Sequence, residues 1–320
     1  MNYAYGAEQF ELDPVVLGRE KIYRSDGKTV DQERTDYYAA DAARYKGVLG
    51  NAVFSHYPIK KVQVFQLKHA PFDWYAGEKA KTSFAEKIRE VVSSILFKTE
   101  STREIRVGTQ IYFRVDLDVP ELPERTLTII NLHLEINCTP KERVNQTAEI
   151  LSHIKGIKHP VIVSGDFNSA PQDLSPTSAS RFVQRTPDDV ADMFSHPVKP
   201  LFTMIQNYRF DDGGAFDFRG DSKRSINGKN GTLANSNERG LIGFKTTFSV
   251  KRPLAMGIGK YRLDWVFVKS FLKDPFEKGS YRFAPHFGET LEELNTNLKT
   301  PISDHHPNVV DLPLEEPKIS

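Results

Sequence analysis

The sequence predicts a single α/β domain of layered sheets and helices, and three observations point to it. Short runs rich in Val, Ile, Phe, Tyr and Thr alternate with amphipathic helical stretches, no repeat period emerges, and no linker divides the 320 residues. The strand-like runs are residues 52–59 (AVFSHYPI), 109–119 (TQIYFRVDLDV), 126–136 (TLTIINLHLEI), 161–167 (VIVSGDF), 246–250 (TTFSV) and 261–268 (YRLDWVFV), each bounded by Gly, Pro, Asn or Asp nearby.

Two stretches read as helices, 82–97 (TSFAEKIREVVSSILF) and 140–156 (PKERVNQTAEILSHIKG). The second opens on Thr139 as N-cap with Pro140 at the first helical position, and Gly156 serves as its C-cap. Residues 16–47 are polar with little periodicity, and 211–243 are rich in Gly, Asn, Asp and Ser. Both read as long surface loops within the one domain.

Composition narrows the function classes. At 39% hydrophobic the chain is able to bury a large core, and Lys+Arg of 43 against Asp+Glu of 42 gives a net charge of +1. No global field therefore favours a nucleic-acid or acidic-membrane partner. A single cysteine, Cys138, excludes an internal disulfide and any cysteine-rich metal site. No apolar run reaches the roughly 18–20 residues of a membrane span, and the first residues lack a signal-peptide pattern. The expectation is a soluble monomer, with its compartment left open.

Polar residues at the ends of apolar strands carry the chemistry. The period of two places Asp166 and Asn168 on one face of the 161–167 strand with Phe167 on the other. Along 126–136, Leu127 and Ile129 share a face with Asn131 and His133; along 261–268, Asp264 is a lone carboxylate on an otherwise packed strand. Near the C-terminus, Asp304, His305 and His306 precede another apolar run. Singly, each of these admits a structural reading as a turn, a cap or a satisfied core histidine. Together they converge at strand ends, where open α/β architectures place ligand sites.

Carboxylates with carboxamide and imidazole, without cysteine, suit a hard divalent cation such as Mg²⁺ or Mn²⁺. An acid beside a histidine suits proton transfer. Hydrolysis of a phosphate ester uses both. No GK[ST] phosphate loop and no GxSxG elbow is present, which argues against P-loop transferases and serine hydrolases.

In order along the chain, GNAVFSHYPI, NLHLEIN, VIVSGDFN, YRLDWVFV and ISDHHP resemble the endonuclease/exonuclease/phosphatase superfamily, from about Gly50 to Asp311. The resemblance implies a four-layer α/β/β/α sandwich, two packed β-sheets flanked by helices, with the active site at one edge. It implies a metal-dependent phosphoesterase that cleaves its substrate with activated water. Asp166 is then the residue that positions or deprotonates the water, and Asn168 a phosphate or water contact. His305 acts at the scissile phosphate with Asp264 orienting it, and His133 binds a phosphoryl oxygen or protonates the leaving group. Asp304 and Asp166 are the implied metal-site acids, with Mg²⁺ or Mn²⁺ as cofactor; His306 falls at a position the family leaves free.

The departure lies at the front. The family's first strand, ending in Asn, and its second, ending in Gln-Glu with the glutamate as a principal metal ligand, are not recognisable, so the sandwich is expected to be incomplete at the N-terminus. In the family an aromatic segment like NYAYG follows that glutamate, so Met1 is expected to lie downstream of it; Glu20, Glu8, Glu11 and Glu33 are the remaining candidates within the chain. Two readings stay open: a phosphoesterase, or a catalytically impaired member serving as a binding module. Retention of Asp166, Asn168, Asp264, Asp304 and His305 together favours the first. The substrate also stays open among nucleic acid, a phospholipid head group and a small phosphoester. Lys223, Arg224, Lys229, Lys245, Lys251 and Arg252 are candidates to line a groove for it.

Overall fold

A computed structural model of the chain describes residues 1–12, 47–72, 105–122, 124–169, 200–217, 247–249, 260–261, 263–269, 286–291 and 305–312, with the single positions 294, 298, 303 and 314. The helix expected over 82–97, most of the two long loops, the six basic loop residues, Glu20, Glu33 and Asp304 lie outside the described residues.

Among the described residues two β-sheets pack face to face, and helices cover the outer face of the larger one. The smaller sheet is antiparallel, in the order β2–β1–β4, from β1 (Asn2–Leu12), β2 (Gly47–Ser55) and β4 (Ile105–Gly108). The larger has six strands in the order β3–β5–β6–β7–β11–β8. These are β3 (Ile59–Gln66), β5 (Ile111–Asp118), β6 (Thr126–His133), β7 (Val161–Asp166), β11 (Asp264–Lys269) and β8 (Phe216–Asp217). Two short antiparallel pairs complete the strands: β9 (Phe248–Ser249) with β10 (Lys260–Tyr261), and β12 (His286–Thr290) with β13 (Asn308–Asp311).

Alternation divides the six-stranded sheet into two apolar faces. Phe113, Val115, Leu117, Leu127, Ile162 and Val268 face the smaller sheet, where they meet Ala4 and the partly buried Val53. Tyr112, Ile130, Leu132, Val161, Val163, Trp265 and Phe267 face the helices. Each large side chain withdrawn from water on either face contributes roughly 1.5–3 kcal/mol. A sheet buried on both faces needs apolar residues at successive positions, which is why these strands read as near-continuous apolar runs.

β6 and β7 are parallel, joined by helix α1 (Pro140–Ile154), which packs back on the sheet as the crossover of a βαβ unit. Its inward residues Arg143, Gln146, Thr147, Ile150, Leu151 and Ile154 recur at three- and four-residue spacing. Thr139 caps it as predicted: its hydroxyl accepts from the Glu142 N–H, and the Glu142 carboxylate accepts from the Thr139 N–H at 2.7 Å. Its C-terminus differs from expectation. Lys155 is the C-cap, in right-handed conformation, and Gly156 follows without a left-handed φ. Helix α2 (Pro200–Asn207) buries Leu201, Phe202 and Ile205 in the same layer.

Three segments correct the strand expectations. The run 52–59 is two strands in different sheets, separated by a turn in which the Tyr57 N–H donates to Ser55 Oγ and Pro58 lacks a ladder donor. The aromatic start, residues 2–12, is a full strand at the centre of the smaller sheet. In the 211–243 segment, Phe216 and Asp217 form an edge strand on β11.

Candidate active site

Register brings the site together. β6 and β7 pair His133 with Asp166, and β7 and β11 pair Asp166 with Asp264, so three adjacent strands carry His133, Asp166 and Asp264 side by side at one edge. By alternation all three share the face of Ile129, Ile162 and Val266, the face turned to the smaller sheet. His305 joins from the C-terminal segment through an isolated bridge to Phe248, and its Nδ1 donates to Asp264 Oδ2 at 2.7 Å.

Asp166 is the centre of this row. Its Oδ2 lies 3.9 Å from His133 Nε2 and 4.0 Å from His305 Nε2, too far for direct hydrogen bonds and matched on the two sides. Its Oδ1 accepts from the Asn168 N–H at 2.7 Å. Each imidazole turns its other nitrogen to a second carboxylate: His305 to Asp264, and His133 to Glu8, whose Oε2 lies 3.7 Å from Nδ1. The sequence Glu8, His133, Asp166, His305, Asp264 is thus a chain of alternating acids and bases.

Glu8 is the residue whose place here was not read from the sequence. It sits at a β-bulge in β1, where the register shifts between Ala7 and Gln9, and both Glu8 and Gln9 point inward. A bulge adds one residue and re-aims a side chain, here towards His133. The signal was present as a carboxylate in step with the small inward residues Ala4 and Gly6, followed directly by a second polar residue. Glu8 is only 5% exposed and its Oε2 has no hydrogen-bond partner among the described residues. It faces His133, beside the cluster of Asp166, Asp264 and His305. The side chain of Glu11 lies outside the described residues.

Asn168 also departs from expectation. The strand ends at Asp166, and Asn168 adopts a left-handed φ of 45°, so strand alternation no longer governs its direction. It is buried, and its Nδ2 donates to the Leu134 carbonyl at 2.9 Å, tying the loop after β7 to the end of β6. Asn131 is likewise engaged, donating to the Ala52 carbonyl of the smaller sheet at 2.9 Å. His306 is buried beside His305, with its N–H on the Thr247 carbonyl.

The electrostatics follow from this packing. Burial pushes the His133 imidazole down, but Glu8, Asp166 and Glu135 outweigh it and hold the ring protonated, its pKa raised to about 9. The Asp166 carboxyl is pushed up by burial and by the neighbouring Asp264 charge, partly offset by the two histidines and the Asn168 N–H. Asp166, Asp264 and His305 each offer a ligand atom, and these atoms lie within 4.8 Å of one another. Two carboxylates and an imidazole are a donor set for a hard divalent cation, and a cation there would relieve the repulsion that raises Asp166.

Solved structures similar to this chain include one described as an endonuclease/exonuclease/phosphatase from Beutenbergia cavernae DSM 12333, at 15% identity and TM-score 0.40, covering 96% of this chain and 53% of that one. Another, from Bacteroides vulgatus, matches at 14% identity and TM-score 0.41, covering 85% of this chain and 72% of that one. A truncated Caenorhabditis elegans TDP2 matches at 12% identity and TM-score 0.34, covering 80% of this chain and 66% of that one. The chain spans about half the length of the first of these. No protein-family model matches it, and no curated protein matches it. Among the described residues no helix is long and apolar enough to cross a membrane.

Proposed function

We propose that this chain is a metal-dependent phosphoric ester hydrolase of the endonuclease/exonuclease/phosphatase type, acting on a phosphodiester or phosphomonoester with water as nucleophile. The observation that carries the reading is the position of Asp166 between two imidazoles, each backed by its own carboxylate. Four of the five sequence motifs supply His133, Asp166, Asp264 and His305, and Glu8 lies outside them.

Asp166 accepts the proton of the attacking water at Oδ2. The environment that raises its pKa moves it towards the range in which a carboxylate is an effective base at neutral pH. His133, held protonated by Glu8, donates to a phosphoryl oxygen or to the leaving group. Asp264 fixes the His305 proton on Nδ1 and leaves Nε2 to face the reacting phosphate. Asn168 locks the loop behind Asp166 and serves as a phosphate or water contact through its remaining amide atoms. Asp166 and Asp264, with Asp304, are the acids that would hold Mg²⁺ or Mn²⁺. Such an ion neutralises charge on the phosphoryl oxygens when bound.

The test is hydrolysis of bis(p-nitrophenyl) phosphate and p-nitrophenyl phosphate by the purified chain. The expected result is turnover with Mg²⁺ or Mn²⁺ that EDTA removes and added metal restores. No turnover with either metal on either ester, nor on a DNA oligonucleotide or sphingomyelin, would instead favour a binding module.

The acid behind His133 is tested separately. Glu8→Gln keeps the shape but removes the charge, and is expected to lower kcat roughly 10–100-fold while leaving KM within about threefold. An unchanged kcat would show that Glu8 has no part in charging His133.

A further inference from the structure

Thr247 is fully buried and directly precedes β9. Its hydroxyl oxygen accepts from two successive backbone donors, the Leu263 N–H at 2.9 Å and the Asp264 N–H at 3.2 Å. Its carbonyl accepts from the His306 N–H at 2.7 Å. The next residue, Phe248, forms the bridge to His305 and sets its ring centroid 5.0 Å from the imidazole. One short segment therefore grips the backbone at Asp264 and on either side of the His305 ring. β11 begins at Asp264, and its first N–H donates to this side chain.

The geometry points to Thr247 as the positioning residue of the Asp264–His305 pair: its γ-oxygen fixes where β11 begins, and its carbonyl fixes where the histidine segment lies. Asp264 and His305 come from segments 41 residues apart, and their side chains meet in a 2.7 Å hydrogen bond. The Asn308 Nδ2 bond to the Asp264 carbonyl at 3.1 Å adds a tie on the far side of the pair. Buried N–H groups require partners. A side chain of the same shape without an acceptor forces Leu263 and Asp264 to move towards other oxygens, and Asp264 moves away from His305. The kinetic part of this inference rests on the pair being catalytic, as proposed above; the geometric part does not.

The experiment compares Thr247→Val, which keeps the shape and loses the acceptor, with Thr247→Ser, which keeps the acceptor. Two quantities are read on the full chain below its melting transition: the tautomer of the His305 ring by ¹⁵N NMR, and kcat and KM for bis(p-nitrophenyl) phosphate with Mg²⁺. Wild type and Thr247→Ser are expected to carry the His305 proton on Nδ1 and to share kcat within about twofold. Thr247→Val is expected to show mixed tautomers and a kcat lower by roughly 10–100-fold at nearly constant KM. A folded Thr247→Val with the wild-type tautomer and kcat overturns the inference. Should Thr247→Val not fold, Thr247→Ser decides: the wild-type tautomer supports the inference, and its loss overturns it. The expected tautomer pattern in a wild-type chain that turns over no ester would sink the catalytic reading alone and leave the inference about Thr247 standing.

Discussion

Asp166→Asn is expected to lower kcat by roughly 10⁴-fold without lowering thermal stability. The isosteric amide still accepts the Asn168 N–H that Asp166 Oδ1 accepts at 2.7 Å, so the turn after β7 survives. What disappears is the base and a charge that two imidazoles face. The sign of the stability effect follows from the raised carboxyl pKa. Burial and Asp264 make the ionised form costlier in the fold than in the unfolded chain, so a neutral side chain relieves a penalty. Such a gain in stability with a loss of activity is the signature of a functional residue held in an unfavourable environment. Rapid-quench kinetics and a melting curve on the same sample check both halves. A variant retaining more than about a tenth of wild-type kcat would remove Asp166 from the role of base.

Gly165→Ala is expected to destabilise the fold by about 3–5 kcal/mol. Gly165 has a φ of 138°, and a Cβ built on it would lie 1.9 Å from the Leu132 carbonyl oxygen of the neighbouring strand. Its flexible alternatives are few, because the obstructing atom is backbone. β6 and β7 pair in parallel here, with Leu132 opposite Gly165 and His133 opposite Asp166. The glycine is thus the point of close approach that lets His133 and Asp166 stand side by side. Urea denaturation measures the loss. A change under about 1 kcal/mol would mean that the two strands separate readily, and that the alignment of His133 with Asp166 is not held by this contact.

How far this was legible in the sequence depends on whether local pattern or long-range geometry decides each feature. The strands carrying His133, Asp166 and Asp264 are apolar runs whose period of two assigns the correct face without knowledge of the fold. The Thr139 cap is likewise local, contained in four residues. Asn168 lies beyond the reach of alternation, because a left-handed residue after a strand breaks the pattern and asparagine is among the residues that adopt it readily. The pairing of Glu8 with His133 and the hold of Thr247 on Asp264 are decided by long-range geometry. One depends on a bulge that only strand pairing reveals, the other on a single hydroxyl oxygen that meets N–H groups 16 and 17 residues away. The strand β1 is hard to read locally because its outward Tyr3, Tyr5 and Phe10 mask the small inward Ala4 and Gly6.

Hydrolysis in ¹⁸O-labelled water tests the central claim most directly. With Mg²⁺ and bis(p-nitrophenyl) phosphate, the account predicts one ¹⁸O in each p-nitrophenyl phosphate released and none in the p-nitrophenol, because water activated at Asp166 attacks phosphorus. Label in the phenol, or unlabelled phosphate product, would contradict it.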